Sequence, residues 1–269
     1  MRLHLFEWMD RPWLPAVLRH GMRQYLSVAY GGLPVWKEWA TLVGDVVHAN
    51  REVRLIDLGS GAGGPASRVA VELRRHGTPV EVIATDLYPF NGEPDAGVRF
   101  HPEPVDARRV PESLAGVRTM FAAFHHLRPA DAHAVLQDAC DRRQAICVFE
   151  ATARTPLAVA SSVLIPVLVL LLTPKERPLR LASLAFTYVV PLLPVLLFWD
   201  GLVSHLRTYS RAELEALTRD LNRTDYQWTV GELRSPGVPF PMPYVIGRSD
   251  HHGLAGRLAT GGTTRLHSS

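Results

Sequence analysis

Four short groups of residues have the types and spacing to hold an anion, a diol and a proton. In DLGSGAGG, Asp57 is followed by Gly59, Ser60, Gly61 and Gly63. These glycines permit a tight turn from strand to helix and close approach of a ligand to the backbone. The helix that follows offers free N–H groups to a carboxylate. Asp86-Leu87 in ATDLYP places a carboxylate where it can accept both hydroxyls of a ribose. Asp106-Ala107 in PVDA places one where it can meet the amino group of an adenine. His125 and His126 in FHHL can exchange a proton near neutral pH. Glu150 in VFEA is a further base, a substrate contact, or the partner of an arginine such as Arg154 or Arg207. Metal ligation by the two histidines is not expected, because neighbours on a strand point to opposite faces.

The elements that carry these groups follow from the hydrophobic pattern. Residues 1–50 are expected to be a helical cap, with amphipathic stretches AVLRHGMRQYL and PVWKEWATLVGDVV. RLIDLG, VEVIATD, the region VRFHPEPVDA, RTMFAAFHHL and AICVFEA are successive strands, the third weakened by Pro102 and Pro104. Helices PASRVAVELRRHG and PADAHAVLQDACDRR lie between them. Strands alternating with helices over 51–152 predict a mostly parallel sheet covered on both faces. The rhythm resumes over 205–249 with a capping box at Ser210 and Glu213 and two closing strands, and 250–269 is expected to be a disordered tail.

Between these parts, residues 153–204 form an insertion with no charge from Thr155 to Pro174 or from Leu181 to Trp199. Each run approaches the ~20 residues needed to span hydrocarbon, but Pro166, Pro191 and Pro194 interrupt them. The insertion is therefore a membrane hairpin, a lid over an acceptor, or a homodimer contact, with an interfacial hairpin favoured. The chain has 269 residues, 47% hydrophobic, with a net charge of +3 and only two lysines, Lys37 and Lys175. No basic stripe with interleaved aromatics is present, so nucleic acid is not expected as a partner. Cys140 and Cys147 are too few for a disulfide framework, and a reducing cytoplasmic setting, at the inner membrane face if the hairpin docks there, fits them.

DLGSGAGG, TDLYP, VDA and FHHL, in this order on successive strands, resemble the Rossmann-like class I S-adenosylmethionine (SAM)-dependent methyltransferases. The resemblance covers about 50–152 and 205–249. It implies a seven-stranded α/β fold, SAM as cofactor and S-adenosylhomocysteine (SAH) as product. Asp57, Gly59, Ser60, Gly61 and Gly63 would then form the methionine end of the site. Asp86 and Leu87 would meet the ribose, Asp106 and Ala107 the adenine, and Phe124 would sit beside the sulfonium. The N-terminal helices, with Glu7, Asp10, Trp13 and Tyr25, would cover the cleft. Tyr25, Trp199 and Asp200 are the candidates for contact with the acceptor, Asp200 being otherwise a solvated helix end. No NPPY-like motif follows the fourth strand, which turns the expectation toward an oxygen or sulfur nucleophile on a small hydrophobic acceptor. A silent SAM sensor and a SAM-dependent transfer of another group are the alternatives.

Overall fold

The computed structural model describes residues 2–89, 97–221 and 223–249. The expected tail at 250–269 and the stretch 90–96 lie outside the described residues.

Seven strands form one sheet in the order β3-β2-β1-β4-β5-β7-β6. They are β1 (Arg54–Leu58), β2 (Glu81–Thr85), β3 (Val98–Phe100), β4 (Val117–Phe121), β5 (Ile146–Phe149), β6 (Tyr226–Leu233) and β7 (Met242–Ser249). β1 to β5 are mutually parallel, and β7 runs antiparallel between β5 and β6. β1, β4 and β5 are buried along almost their whole length, Asp57 and Arg118 included, as strands covered on both faces must be. The strand order reverses between β1 and β4, so a crevice opens there at the carboxyl ends of the strands.

One face is covered by α2 (Val35–Asn50) and α3 (Gly64–Arg75), the other by α4 (Pro129–Asp141) and α9 (Arg211–Arg219). α3 starts with Pro65 in its first turn, where a missing N–H costs nothing. α9 carries the expected capping box of Ser210 and Glu213. Trp39 of α2 is 1% exposed and stacks on Phe121 and Phe149 at 5.3 and 5.9 Å, locking α2 onto the ends of β4 and β5.

The third strand is shorter than its region suggested. It ends at Phe100, before Pro102 and Pro104, and a loop brings Val105 N–H back to the Asp86 carbonyl at 2.9 Å. Asp106 thus sits on a loop beside the end of β2.

The insertion is a broken apolar assembly. α5 (Pro156–Ser161), a 3₁₀ turn, α6 (Ile165–Leu172) and a second 3₁₀ turn make one 20-residue helical run, Pro156–Lys175. Pro166 sits in the first turn of α6 and does not interrupt it. The second run does break. α7 (Leu181–Leu184) passes through a π turn at Ala185–Val189 into α8 (Leu192–Arg207) with a bend of 81°. Pro191 stands at that break, where its lost N–H and ring are tolerated. α8 packs through Leu193 and Leu197 on Leu18, Met22 and Tyr25 of α1 (Ala16–Gly32).

Candidate functional site

The glycine loop leaves β1 with Gly59, Gly61 and Gly63 at φ of 63°, 55° and 79°. Only residues without a Cβ enter this region readily. A side chain added at Gly61 would meet nothing within 4 Å, so open space lies above the turn. The Ser60 N–H donates to the Thr85 carbonyl at 2.9 Å and ties the loop to β2. The Asp86 carboxylate accepts from Gly61 N–H and Tyr88 N–H, both at 2.9 Å. Asp57 lies under the loop at 2% exposure and accepts the Thr119 hydroxyl at 2.8 Å. Burial pushes its carboxyl up to about 7. Asp57 therefore braces the turn from below rather than facing the cleft. Asp106 is bound by Arg108, whose other nitrogen reaches Asp131 at 2.7 Å. Leu87 is 48% exposed, and Ala107 packs against the core under α4.

At the end of β4 the chain turns sharply, with Ala122 at φ 49°, into a 3₁₀ turn of Phe124, His125 and His126. Two expectations fail here for one reason. The histidines do not lie on a strand, so their rings are not sent to opposite faces; their centroids are 4.3 Å apart. Phe124, turned inward by the same bend, is fully buried against Tyr209 at 5.5 Å and belongs to the core.

β4 and β5 run side by side with Phe121 opposite Phe149. Glu150, one residue beyond, therefore meets His125. One carboxylate oxygen accepts the His125 backbone N–H at 2.7 Å, and the other lies 2.7 Å from Nδ1 of the ring. Glu150 pairs with neither Arg154, which binds Glu213, nor Arg207. With Nδ1 held, Nε2 of His125 is buried and without a hydrogen-bond partner, 3.9 Å from Glu7. Glu7, 4% exposed, arrives on an N-terminal segment that precedes α1. Arg207 at the end of α8 binds Glu7 at 2.9 Å and Asp10 at 2.8 Å. Asp10 also meets Nδ1 of His126 at 3.1 Å. Burial opposes ionisation of Asp10, but its bonds to His126 and Arg207 outweigh that and hold its carboxyl low.

No family model matches this sequence, and no curated protein matches it. Solved structures do. The plantazolicin methyltransferase BpumL with a monoazolic desmethylPZN analogue and SAH aligns at TM-score 0.51 and 10% identity, over 90% of this chain and 93% of that one. BpumL with SAH alone aligns at 0.50 and 11%, over 91% and 93%. The fold is that of the class I SAM-dependent methyltransferases.

Within that methyltransferase fold, the candidate residues fall into two groups. Gly59, Ser60, Gly61, Gly63, Asp86 and Asp106 gather at the carboxyl edge of β1, β2 and the loop after β3. His125, Glu150 and Glu7 gather at the edge of β4 and β5. Glycines that leave open space and a carboxylate fixed beside them fit a small-molecule amino acid and ribose. The proposed acceptor contacts are less uniform. Asp200 is 6% exposed and accepts the backbone N–H groups of Trp8 and Met9 at 2.7 and 3.1 Å. It is neither a solvated helix end nor free for a ligand; it anchors the N-terminal segment. Burial pushes its carboxyl up to about 7 against those two bonds. Trp199 donates from its indole to the Phe6 carbonyl at 2.9 Å and serves the same anchoring. Tyr25 is buried between α1 and α8, and burial pushes its hydroxyl up to about 12.

Tyr30 was missed by the sequence reading. Burial, then the charges of Glu150, Tyr25 and Glu7, push its hydroxyl upward, and its ring packs against the cluster that holds Trp39 and Phe149. Its only sequence signal is an aromatic just before Gly31-Gly32 on an amphipathic helix. Glu7 and Arg207 gave less signal still, being 200 residues apart in a pair that only the folded chain assembles.

Proposed function

We propose that this chain transfers the methyl group of SAM to an oxygen or sulfur nucleophile of a small hydrophobic acceptor, with His125 taking the acceptor's proton. The observation that carries the reading is the Glu150–His125 pair beside the glycine loop. With Glu150 accepting from Nδ1–H of the ring, the buried Nε2 keeps its lone pair and has no hydrogen-bond partner among the described residues. Bound SAM supplies a methyl group on a sulfonium whose C–S bond breaks with its electrons left on sulfur, giving SAH. The protein's task is then to align acceptor with methyl, exclude water and receive the proton. Glu7 stands at this corner, 3.9 Å from Nε2 of His125, on the N-terminal segment held by Asp200 and Arg207.

The source of the acceptor is read from the insertion. Leu181, Val189, Val163, Leu171 and Val195 are 85, 77, 67, 62 and 60% exposed, a large apolar surface of the kind that marks a partner or membrane. Only 22% of the apolar Pro156–Lys175 run is buried. The same insertion packs on α1, which carries Tyr25 and Tyr30. An apolar hairpin lying in a membrane surface, with Lys175, Arg177 and Arg180 toward anionic headgroups at about 1 kcal/mol each, would deliver a lipophilic acceptor to that corner.

The test is incubation of the purified protein with SAM and fractionated apolar extract, followed by mass analysis. The expected result is SAH together with a product heavier by one CH₂. Binding of SAM without turnover would support the silent-sensor alternative, and a larger mass gain would support transfer of another group. Co-sedimentation with anionic vesicles tests the membrane part. A full-length protein that ignores such vesicles refutes it.

A further inference from the structure

We infer that Glu7, His125 and His126 form a binding site for one divalent transition cation of the Zn²⁺ class, built into the acceptor side of the cleft. The site stands on geometry; its use in activating the acceptor rests on the methyl-transfer reading above.

Three potential ligand atoms, one from each residue, lie within 4.8 Å of one another. Nε2 of His125 is 3.9 Å from one Glu7 oxygen, and Nε2 of His126 is 3.8 Å from the other. Donors about 2.1 Å from one tetrahedral ion lie about 3.4 Å apart, so the two Glu7 contacts are about half an ångström long and the widest ligand pair, within 4.8 Å, must draw in by up to about 1.4 Å for the site to close. Two imidazoles and one carboxylate with a position left open is a donor set suited to zinc.

The surroundings favour coordination over an ordinary ion-pair cluster. Each imidazole has its other nitrogen against a carboxylate: Nδ1 of His125 on Glu150 at 2.7 Å, Nδ1 of His126 on Asp10 at 3.1 Å. That is the arrangement that fixes the tautomer of metal-binding histidines and turns both Nε2 lone pairs the same way. Nε2 of His125, on a side chain 5% exposed, has no other partner. A buried nitrogen with a lone pair and no partner among the described residues is uncommon in a folded chain, and it is the atom that would take an ion here.

The two imidazoles and Glu7 are in contact with Glu150, Asp10 and Arg207. Arg207 borders the site: it lies on the Nδ1 side of His126 at 3.4 Å, bonds Asp10, and bonds Oε1 of Glu7 at 2.9 Å, the oxygen that faces His125, which leaves Oε2, 3.8 Å from His126, as the oxygen open to an ion. Arg2, a further cation nearby, is spent on the main-chain carbonyls of His125 and Leu127. An ion here would take the Nε2 lone pair that the methyl-transfer reading gives to the acceptor's proton, so in the loaded protein the ion, not His125, would favour loss of that proton, which would leave to solvent as the acceptor binds. The preferred acceptor is then one whose nucleophile can coordinate a metal.

The experiment is calorimetric titration of chelator-treated, full-length protein with Zn²⁺, repeated with Co²⁺ for its visible spectrum. The wild type should bind one ion per chain and give the intense absorption of low-coordinate Co²⁺. His126→Ala removes a ligand whose side chain is 34% exposed, so the fold should survive; its affinity should fall by about a hundredfold or more. Asp10→Asn should lose roughly 10–100-fold. Replacing the exposed His76 by Ala should change nothing. Absence of stoichiometric binding by the wild type, or equal binding by His126→Ala, overturns the site. SAM binding measured on the same samples separates the two readings. Zinc without SAM leaves the site and removes methyl transfer, while SAM and methylated product without zinc leave His125 as a base and remove the metal.

Discussion

Glu150→Gln separates the shape of the His125 corner from its proton chemistry. Glu150 accepts two hydrogen bonds from one residue, the His125 backbone N–H and ring Nδ1, each at 2.7 Å. A backbone N–H can only donate, so the Gln oxygen must face it. The Gln NH₂ group then faces Nδ1, which has to become an acceptor. The ring proton moves to Nε2, and the lone pair available for an acceptor's proton, or for a cation, is gone. In stability the change removes one charge-assisted bond, about 1.5–3 kcal/mol, partly offset because a neutral group replaces a buried charge. Denaturant unfolding should therefore show a loss of about 1–2 kcal/mol. In turnover the wrong tautomer should cost on the order of 10²–10⁴. The decisive assay needs no acceptor. Long-range ¹H–¹⁵N correlation spectra of the histidine rings should place the His125 proton on Nδ1 in the wild type and on Nε2 in the variant, with SAM affinity unchanged. A His125 ring with the same tautomer in both proteins would refute the reasoning.

Asp86→Ala should weaken SAM binding by about 1.5–3 kcal/mol in calorimetry, since it removes a fixed carboxylate and frees Gly61 and Tyr88 N–H groups. Asp200→Asn tests a pH dependence. The folded carboxyl is raised to about 7 from an ordinary value of 3.8, so its contribution is greatest at low pH and is lost as pH rises through 7. Relative to the variant, the wild type should gain up to about 4 kcal/mol of stability between pH 8 and pH 4; a constant difference across that range would refute a buried carboxylate at this position. Trp39→Ala should cost about 3–5 kcal/mol by leaving a cavity against the mutually stacked rings of Phe121 and Phe149, read as a lowered unfolding midpoint.

What could be seen in the sequence was whatever is written locally. β1 ends in its glycine loop because RLIDLG is an apolar run stopped by glycine, and α9 starts at Ser210 because its cap is three residues from its partner glutamate. Glu150 could be placed at a strand end, but its meeting with His125 depends on β4 and β5 being neighbours in the sheet. The histidines were misplaced because FHHL continues an apolar run, and nothing in the residue types announces that Ala122 turns the chain at positive φ. Asp200 is expected from the sequence as an acceptor contact or else a solvated helix end, because the segment it anchors lies 191 and 192 residues away. Tertiary pairings of that separation leave no period to detect.

The N-terminal segment also imposes an order of assembly on synthesis. Leu3 donates to the Leu206 carbonyl, Trp8 and Met9 to Asp200, and Asp10 pairs with Arg207, 197 residues later. At ~5–20 residues per second, the first residues wait about 10–40 s on the ribosome for their docking helix. Glu7 thus joins its corner only after the Rossmann-like strands β1 to β5 and the apolar insertion have emerged. The nascent protein stays without the corner of Glu7, His125 and His126 until the insertion has emerged.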